Sequence, residues 1–563
     1  MTGPDPMPDR PQDLSPSHPS PAPAPHPPLA VAVVLEAAGC AEWIARALAD
    51  ICTGADARIV ALSRAPATDP RATSPFLSYA AQDQARVAQA PDPLALVSFD
   101  DLLARLPALA ALPHTPPQPA DLVLDFSEGA ATQAAPCGVW SFRFGSARPV
   151  LAGEDYFAEL AAGATSCALT LLAEGADGAN VTVLATSHSH VNDMSLWRTR
   201  APVAWKARAL LRRALQRLRR DGPAAFFAAA RAQVDQSAIP APRPPATAGE
   251  MALFKARLLA RRLLTPYRLV REQWRVGLRR QQADDAQTAP WGSARWARGF
   301  RFIEAPFDRF FADPFLFVHQ GQTWLFLEDW DWAVGKAIIS AAPVRDDLTL
   351  GPLVTVLETP YHLSNPLVFA EGGEIFMIPE TLAMRRVEVY RCVSFPDQWT
   401  LHCVPLADID IADACVLKDG DAWWMFAAVL DFGGNGWDEL HLFRAPALCG
   451  PWTPHPDNPV VSDVRAARPG GRMWMENGRL HRLVQDCAGR YGSGLGIFQT
   501  VPALDAPYVQ DQCAALNSFD FAMNGVHAYD AAGGIEAVDG RQYQVALGRF
   551  RADWPFPRWF GRH

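Results

Sequence analysis

Closely spaced cysteines are missing from this sequence of 563 residues. Its ten cysteines lie scattered between Cys40 and Cys513 and include no Cys-x-x-Cys pair. A dense disulfide framework and a zinc site of that spacing are therefore not predicted. Scattered cysteines instead predict reduced, mostly buried thiols in a cytosolic protein.

Long apolar runs are missing as well. No uncharged stretch is long enough to span a bilayer, and the proline-rich residues 1–28 lack the apolar core of a signal peptide. Residues 1–28 are predicted to be a disordered, extended tail. The expected localisation is cytoplasmic, with a peripheral position at the inner face of the membrane as an open alternative.

A strong excess of one charge is also absent. The formal net charge is −9, which argues against nucleic acid as the main partner. The chain is 49% apolar and 20% charged, as expected of a globular rather than a disordered protein. Its length predicts two or three domains.

Residues 29–203 are predicted to form an α/β domain. The apolar run Leu29–Leu35 precedes a pattern of helical period, and Ala57–Ser63 supplies a second buried strand. Strand, helix and strand in this order predict parallel strands. No Gly-x-Gly-x-x-Gly loop follows the first strand, so no dinucleotide site and no cofactor are predicted. Further strands are predicted at residues 121–127, 138–145 and 166–175.

Positive charge is concentrated in residues 204–290, which are predicted to be a basic helical linker. Residues 206–280 contain 18 Lys/Arg and only 4 Asp/Glu. Leucine, valine and tryptophan recur among these arginines at helical spacing over 204–236 and 250–282. Two interpretations stay open. The helices pack between the domains with solvated arginine faces, or residues 204–282 dock onto an anionic membrane surface.

The run TSHSHVND contains the chain's most obvious arrangement of metal-ligand residue types. On a strand, His188 and His190 would share one face, and Asp193 follows them. No further cluster of histidine, cysteine or carboxylate completes a ligand set. Polar surface residues are therefore predicted here, and no metal site is predicted in the chain.

Residues 291–563 repeat one pattern five times. A polar residue opens a short apolar run, a turn containing glycine follows, and a second apolar run ends the copy; the first copy is ADPFLFVHQGQTWLFLE. Two apolar runs around such a turn indicate a β-hairpin. The copies recur roughly every 50 residues, a spacing typical of propeller blades. A five-bladed β-propeller is predicted, with copies beginning near Asp313, Asn365, Asp413, Pro469 and His527.

The innermost strands of a propeller converge on a central funnel, so the leading polar residue of each copy is expected to face it. Carboxylates in such a funnel are candidate acids, bases or nucleophiles, and the other polar groups are candidate substrate ligands. The candidate catalytic residues are Asp313, Asp413, Glu328 and Glu380. The candidate substrate-binding residues are His362, Asn365, Arg468, Arg472 and His527.

The Asp-Pro that opens the first copy resembles the start of five-bladed furanosidases of the arabinanase and invertase kind. The resemblance implies that Asp313 acts as base or nucleophile in glycoside cleavage, which needs a second carboxyl to protonate the leaving oxygen. This chain has Asn365 where that family has a second Asp, and Asp413 where it has a Glu acid. Glu328 or Glu380 would then supply the missing carboxyl.

A closer resemblance covers residues from about Phe307 to Tyr543. FFADPFLF, YHLSNPLVF, MIPE, VYRCVSFPDQWTL, GPWTPHPDNPV, RPGGR and LVQDC follow one another in the order found in the N-terminal domain of glucosamine inositolphosphorylceramide transferases. Formyltransferase-like bacterial proteins carry a similar propeller. The resemblance implies a carbohydrate-handling propeller; the glycosyltransferase domain that follows it in the transferases is not seen in this sequence.

The α/β region resembles the N-terminal domain of the formyltransferase family in GVWSFRFGS and LLAEGADGANVTVLA. That family's catalytic Asn and His positions fall on Ser141 and Arg143, and its Asp-Gly pair matches Asp177 and Gly178. Without an imidazole no group there titrates near neutral pH, so formyl transfer is expected to be lost.

Three functions remain open. The first is an enzyme acting on glycans or glycolipids in the propeller funnel. The second is a non-catalytic sugar-binding scaffold that serves a glycosyltransferase partner in glycoconjugate or polysaccharide synthesis. The third, disfavoured by Ser141 and Arg143, is a formyltransferase acting on a nucleotide-linked amino sugar.

Overall fold

A computed structural model of the chain contains an α/β domain followed by a propeller. It describes residues 26–65, 75–114, 119–127, 129, 131, 135–147, 155–175, 180–237, 247–264, 270–281, 295–431, 434–501, 504, 507–547 and 550–553. No described helix is both long and apolar enough to cross a membrane.

The N-terminal domain is built on a six-stranded sheet. Its strands are β1 (Leu29–Leu35), β3 (Ala57–Arg64), β5 (Leu122–Asp125), β6 (Val139–Phe144), β7 (Ser166–Glu174) and β8 (Val181–His190). Their order in the sheet is β3-β1-β5-β6-β7-β8. The first four of these strands are parallel, whereas β6, β7 and β8 pair antiparallel. The sheet is therefore mixed, because strands joined by a short connection such as β7 and β8 can pair only antiparallel.

Helices cover this sheet, and a two-stranded ribbon extends it. The ribbon consists of β2 (Gly39–Ala41) and β4 (Leu96–Ser98). Trp43, Phe142 and Phe144 meet in the core between the sheet and the first helix. The short helices are α1 (Glu42–Thr53), α2 (Pro75–Val87), α3 (Phe99–Arg105), α4 (Pro107–Ala110) and α5 (Phe157–Ala162).

The first basic helix belongs to this domain. Helix α6 (Leu196–Gln233), interrupted at Gly222 where φ is +74°, buries Leu211 and Leu218 in the same core as the sheet. Helix α7 (Ala248–Leu264) packs Phe254 against it as well. The boundary predicted near residue 203 therefore falls inside a helix of the domain, because the apolar face of α6 has the sheet as its partner.

The helix predicted for residues 250–282 is wrong in its second half. Residues 270–280 form strand β9 (Val270–Arg280), which belongs to the propeller and not to a helical linker. In VREQWRVGLRR, Trp274, Val276 and Leu278 alternate with polar residues, which is the period of a strand. The arginines between them gave the segment the same basic composition as the helices before it.

Five sheets form the propeller, as the repeats predict. Blade 1 contains β11 (Arg309–His319), β12 (Gln322–Asp331), β13 (Lys336–Pro343) and β14 (Val354–Leu357). Blade 2 contains β15 (Ser364–Glu371), β16 (Glu374–Glu380), β17 (Arg386–Ser394) and β18 (Gln398–Ala407). Blade 3 contains β19 (Ile411–Asp419), β20 (Ala422–Val429), β21 (Leu440–Ala445) and β22 (Thr453–Pro454). Blade 4 contains β23 (Trp474–Glu476), β24 (Arg479–Asp486), β25 (Gly494–Thr500) and β26 (Gln510–Asn517).

Blade 5 closes the ring with strands from both ends of the propeller segment. Strand β9 pairs antiparallel with β28 (Ile535–Leu547) over eleven residues, from Val270 opposite Val545 to Arg280 opposite Ile535. Main-chain hydrogen bonds thus join the beginning of the segment to its end, which leaves the ring without an open seam. The other members are β10 (Arg301–Phe302), β27 (Tyr529–Ala532) and β29 (Phe550–Asp553). Two 3₁₀ turns, Leu382–Met384 and Ser518–Phe521, lie between blades or strands.

One expectation about the cysteines needs correction. Cys403 on β18 of blade 2 forms a disulfide with Cys449, which follows β21 of blade 3. The two residues are 46 positions apart, so no short sequence motif marks the pair. The other described cysteines have free thiols, and most of these are buried, as predicted; they are Cys40, Cys52, Cys137, Cys167, Cys392, Cys415, Cys487 and Cys513.

Most basic residues of α6 are engaged in ion pairs within the protein. Lys206, Arg213 and Arg220 pair with acids of the propeller, while Arg208 pairs with an acid of the N-terminal domain. This supports the interpretation in which the helices pack between the domains. Charge that is already paired contributes little to membrane attraction.

We therefore expect the protein to stay at the bottom of a flotation gradient, whether the vesicles are neutral or contain anionic lipid. The reason is the pairing of the arginines of α6 with the protein's own carboxylates. Flotation with anionic vesicles alone, reversed by high salt, would show that enough of residues 204–282 remains available for a membrane surface.

Candidate active site in the propeller funnel

Three blades aim an acid or amide into the funnel by the same backbone device. Asp313, Asn365 and Asp413 have φ of 48°, 45° and 51°, the left-handed region that asparagine and aspartate tolerate better than other non-glycine residues. Each lies in an irregularity of the innermost strand, immediately after the last regular pair. Such a bulge redirects a side chain, and strained residues of this type cluster at functional sites. All three side chains are buried.

The first charged cluster joins blade 1 to blade 5. His527 Nε2 lies 2.9 Å from Asp313 Oδ1, and His527 Nδ1 lies 2.7 Å from Asp539 Oδ2. Burial lowers the pKa of His527, but Asp539 and Asp313 more than compensate and raise it to about 10. The imidazole is therefore a cation that holds two carboxylates together at neutral pH. The other Asp313 oxygen, Oδ2, accepts a hydrogen bond from the Asn365 N–H at 3.0 Å.

Glu328 lies beside this cluster. Strand pairing places it opposite Ala312, next to Asp313, and its Oε1 is 3.7 Å from His362 Nε2. Burial, followed by the nearby Asp313 charge, raises the pKa of Glu328 well above its usual range. The ring of His362 accepts a hydrogen bond from the Ala337 N–H at Nδ1, 3.1 Å away, so Nε2 faces the glutamate. Glu328 is thus a buried carboxyl whose surroundings favour its protonated form.

The second charged cluster repeats this arrangement between blades 2, 3 and 4. Arg468 Nε lies 2.7 Å from Asp413 Oδ2, and Arg468 Nη2 donates to Glu380 Oε2 at 3.5 Å. The amide of Gln485 donates to the same Asp413 oxygen at 3.0 Å. Burial, and then the Asp413 charge, raises the pKa of Glu380 well above its usual range. Each half of the funnel thus contains an aspartate, a cation and a glutamic acid.

Aromatic rings separate and line the two clusters. The Tyr491 ring lies 5.0 Å from the His527 ring, and the Arg468 guanidinium lies over Tyr491 at 5.3 Å. Trp274 packs on His527 at 4.2 Å. On the other side, Trp330 meets His362 at 5.5 Å. Aromatic faces beside polar groups are suited to sugar rings, which present apolar C–H faces and polar edges.

The structure therefore brings together eight of the nine predicted funnel residues. Arg472 is the exception. It donates to Asp530, to the Leu316 carbonyl and to the Val368 carbonyl. These carbonyls lie three residues beyond Asp313 and Asn365, about 10 Å further along the inner strands. Arg472 thus joins blades 1, 2 and 5 from blade 4.

Sequence reasoning missed three residues of the funnel. Asp539 lies in strand β28, the second strand of the fifth repeat. An acidic residue directly before Gly540 was the signal in the sequence that could have identified it. Trp274 was assigned to a helix, so its place in the ring was not foreseen. Tyr491 lies in the loop between β24 and β25, outside the repeated pattern.

The predicted degenerate formyltransferase site lies in the N-terminal domain, apart from the propeller funnel. Ser141 and Arg143 both lie on β6, where the guanidinium donates to the Ser141 hydroxyl at 3.1 Å and to Glu174 at 3.3 Å. Arg143 is thus occupied within the sheet. Asp177 lies outside the described residues. The formyltransferase-like identity, and the loss of formyl transfer, stay predictions.

The histidine run lies between the two domains. The His188 N–H donates to the Ser462 carbonyl, and His188 Nδ1 is 3.7 Å from Asp463 Oδ2. The His190 ring packs on Trp437 at 5.3 Å, and Asp193 pairs with Arg261. The described contacts of these three residues are therefore packing and ion pairing.

Ligand atoms of His527, Asp313 and Asp539 lie within 4.8 Å of one another, close enough to hold a cation. A metal ion there would have to displace the proton that gives His527 its charge. The prediction of no metal and no cofactor stays a prediction.

Several solved structures of glycoside hydrolases show a similarity to this chain. The α-L-arabinofuranosidase PaAbf62A of Podospora anserina is 13% identical, with a TM-score of 0.31, over 39% of this chain and 75% of that one. The family 117 glycoside hydrolase Zg3597 of Zobellia galactanivorans is 12% identical, with a TM-score of 0.31, over 48% of this chain and 90% of that one.

The amino-acid sequence gives a more specific comparison. The rice (Oryza sativa subsp. japonica) glucosamine inositolphosphorylceramide transferase 1 is 34% identical over 196 residues, which are 34% of this chain and 26% of the relative. The Arabidopsis thaliana protein of the same name is 34% identical over 191 residues, 33% of this chain and 25% of the relative. The chain thus spans about a quarter of the length of these curated relatives. Residues 302–525 match the family model of the N-terminal region of glucosamine inositolphosphorylceramide transferase 1, which confirms the resemblance predicted from the order of motifs in this part of the chain.

Proposed function

We propose that this protein is a carbohydrate-active enzyme that binds a glycan or glycolipid headgroup in the propeller funnel and cleaves or transfers a glycosidic bond. One observation carries the proposal. Each half of the funnel pairs a buried aspartate with a glutamic acid whose pKa is raised by burial and by that aspartate. Glycoside chemistry needs this combination of a carboxyl that donates a proton and a carboxylate that attacks or activates water.

The positions suggest a division of roles. Glu328 protonates the leaving oxygen, because burial and the Asp313 charge raise its pKa and so favour the protonated carboxyl, with His362 Nε2 3.7 Å away. Asp413 is the second carboxylate, acting across the funnel as base or nucleophile. His527 and Arg468 fix the two aspartates, and Trp330 and Tyr491 offer faces on which a sugar can stack. The names of the curated relatives, which refer to a glycolipid glycosyl transfer, support a carbohydrate substrate.

Replacing Glu328 with glutamine tests the acid. The variant should lose about 10²–10⁴ of the rate on a panel of aryl glycosides and glycolipids, because an amide cannot donate the proton. It should also be at least as stable as the parent at neutral pH. The pKa of Glu328 is higher in the folded protein than its ordinary value of 4.5. The protonated carboxyl therefore contributes stability that is complete below pH 4.5 and is lost as pH rises through the folded-state pKa. Glutamine does not titrate and avoids that loss.

Glu380→Gln provides the comparison for the other half of the funnel, and Glu374→Gln is the matched control. Glu374 lies on the same strand as Glu380, is exposed and pairs with Arg391. Rates would be followed by release of the chromophore and stability by urea unfolding. Full activity of Glu328→Gln and Glu380→Gln in a parent that turns over substrate would contradict the assignment.

A non-catalytic sugar-binding scaffold for a glycosyltransferase is the second candidate. It is favoured by the contacts of the aspartates: Asp313 is held by His527 and the Asn365 N–H, and Asp413 by Arg468 and Gln485. A carboxylate engaged in this way is a poorer nucleophile. Replacing Asp413 with asparagine separates the two candidates. If the protein is a scaffold, the variant keeps glycan binding, and the parent never turns over substrate.

A further inference from the structure

The N-terminal domain contacts the propeller at the loop that follows β20 of blade 3. Asp413 lies near the start of β19, beside the end of β20, and segment 434–439 continues from that end toward β21. The carbonyl of Gly436 in this segment accepts a hydrogen bond from Arg468 Nη1 at 2.9 Å. A Cβ at Gly436 would stand 3.3 Å from that same nitrogen. Segment 434–439 therefore touches the cation of the second charged cluster directly.

A buried ion pair anchors this segment to helix α6. Lys206 Nζ lies 2.5 Å from Asp438 Oδ2, with 2% and 1% of the two side chains exposed. The ammonium also donates to the hydroxyls of Ser187 and Ser189, and Ser189 donates in turn to Asp438. A lysine so buried and so fully coordinated fixes its partner in one place, because any displacement would leave a charge uncompensated.

A second anchor lies two turns further along α6. Arg213 donates to both oxygens of Glu439, at 2.8 and 2.9 Å, and to Asp431 at 2.5 Å. The forked guanidinium matches the carboxylate in two parallel bonds, which restricts orientation as well as distance. Asp431 precedes segment 434–439 and Glu439 ends it, so Arg213 clamps both flanks.

We propose that helix α6 positions Arg468 in the funnel by holding segment 434–439. Lys206 and Arg213 are the positioning residues, and they act through the Gly436 carbonyl. The α/β domain is then a structural part of the propeller's site. The consequence for glycan binding rests on the proposed function, whereas the placement of Arg468 does not.

The test replaces Lys206 with methionine in the full chain. In a crystal structure of Lys206→Met, Arg468 should move from 2.7 Å to beyond about 4 Å from Asp413, the limit for an ion pair. The dissociation constant for a glycan bound by the parent should rise about tenfold, because the site loses a charged hydrogen bond. Arg208→Gln is the matched control, since Arg208 lies on the same helix but pairs with Asp50 inside the N-terminal domain. It should leave both quantities unchanged.

Rescue distinguishes positioning from a general loss of stability. The double variant Lys206→Met/Asp438→Asn removes the stranded charge and should restore the Arg468 position and most of the affinity. If Lys206→Met does not fold, Ser189→Ala retains both charges, and it should speed amide exchange in segment 434–439. An unchanged Arg468–Asp413 distance in Lys206→Met, or unchanged exchange in Ser189→Ala, would overturn the inference. A parent without glycan binding would count against the proposed function alone, because the distance and the exchange rates need no ligand.

Discussion

Replacing His527 with glutamine should lower the free energy of unfolding by about 3–5 kcal/mol near pH 6, because it removes one partner of a buried ionic cluster. His527 lies between Asp313 and Asp539, and all three side chains are buried. Glutamine preserves part of the hydrogen bonding but no positive charge. The two carboxylates, one from blade 1 and one from blade 5, would then repel each other at the junction of the ring.

The pH dependence of the same variant has a definite sign. The pKa of His527 is about 10 in the folded protein and about 6.5 in an unfolded chain. A raised pKa gives stability that is complete below pH 6.5 and is lost as pH rises through 10, on the order of 5 kcal/mol in all. Parent and variant should therefore differ most at pH 6 and converge toward pH 10.

Urea unfolding at several pH values measures this difference. His402→Gln serves as the control, because His402 is an exposed histidine on blade 2 and its replacement should leave the curve of the parent unchanged. A constant difference between parent and His527→Gln from pH 6 to pH 10 would show that packing, and not the charge of the imidazole, holds the two aspartates.

Much of the propeller could be predicted because each blade contains its own local signals. A polar residue, an apolar run, a glycine turn and a second apolar run are all read within about 17 residues, which is the scale on which hairpins form. The funnel followed from the fold, since Asp313, Asn365 and Asp413 occupy equivalent bulges. Their left-handed backbone explains why only aspartate and asparagine recur there.

What could not be predicted depends on contacts between distant parts of the chain. Strand β9 pairs with β28, some 265 positions later, and nothing local distinguishes its arginines from those of the helices before it. The pairing of Lys206 with Asp438 likewise joins two domains. The raised pKa of Glu328 depends on burial that only the closed ring provides. The roles of these single residues therefore depend on contacts that exist only in the folded chain, even where the sequence predicted the region in which they lie.

Replacing Cys403 and Cys449 with serine should lower the free energy of unfolding by about 4 kcal/mol at most. The bridge closes a loop of 46 residues between β18 and the turn after β21, and cross-linking a loop of this length restricts the unfolded chain by about that amount. Strain or residual structure in the unfolded state would reduce the effect. The measurement is urea unfolding of the oxidised parent, the reduced parent and the variant.

A single cysteine replacement separates the effect of the cross-link on stability from the effect of side-chain packing. Cys403→Ser alone should cost as much as the double replacement, because either change opens the same loop, whereas losses of packing at two sites would add. Reductant should destabilise the parent and leave the variants unaffected. Cys52→Ser and Cys513→Ser, at exposed free thiols, are the controls. Alkylation of the protein in intact cells before isolation then tests the predicted cytoplasmic localisation, because a bridge already formed in cells indicates an oxidising compartment.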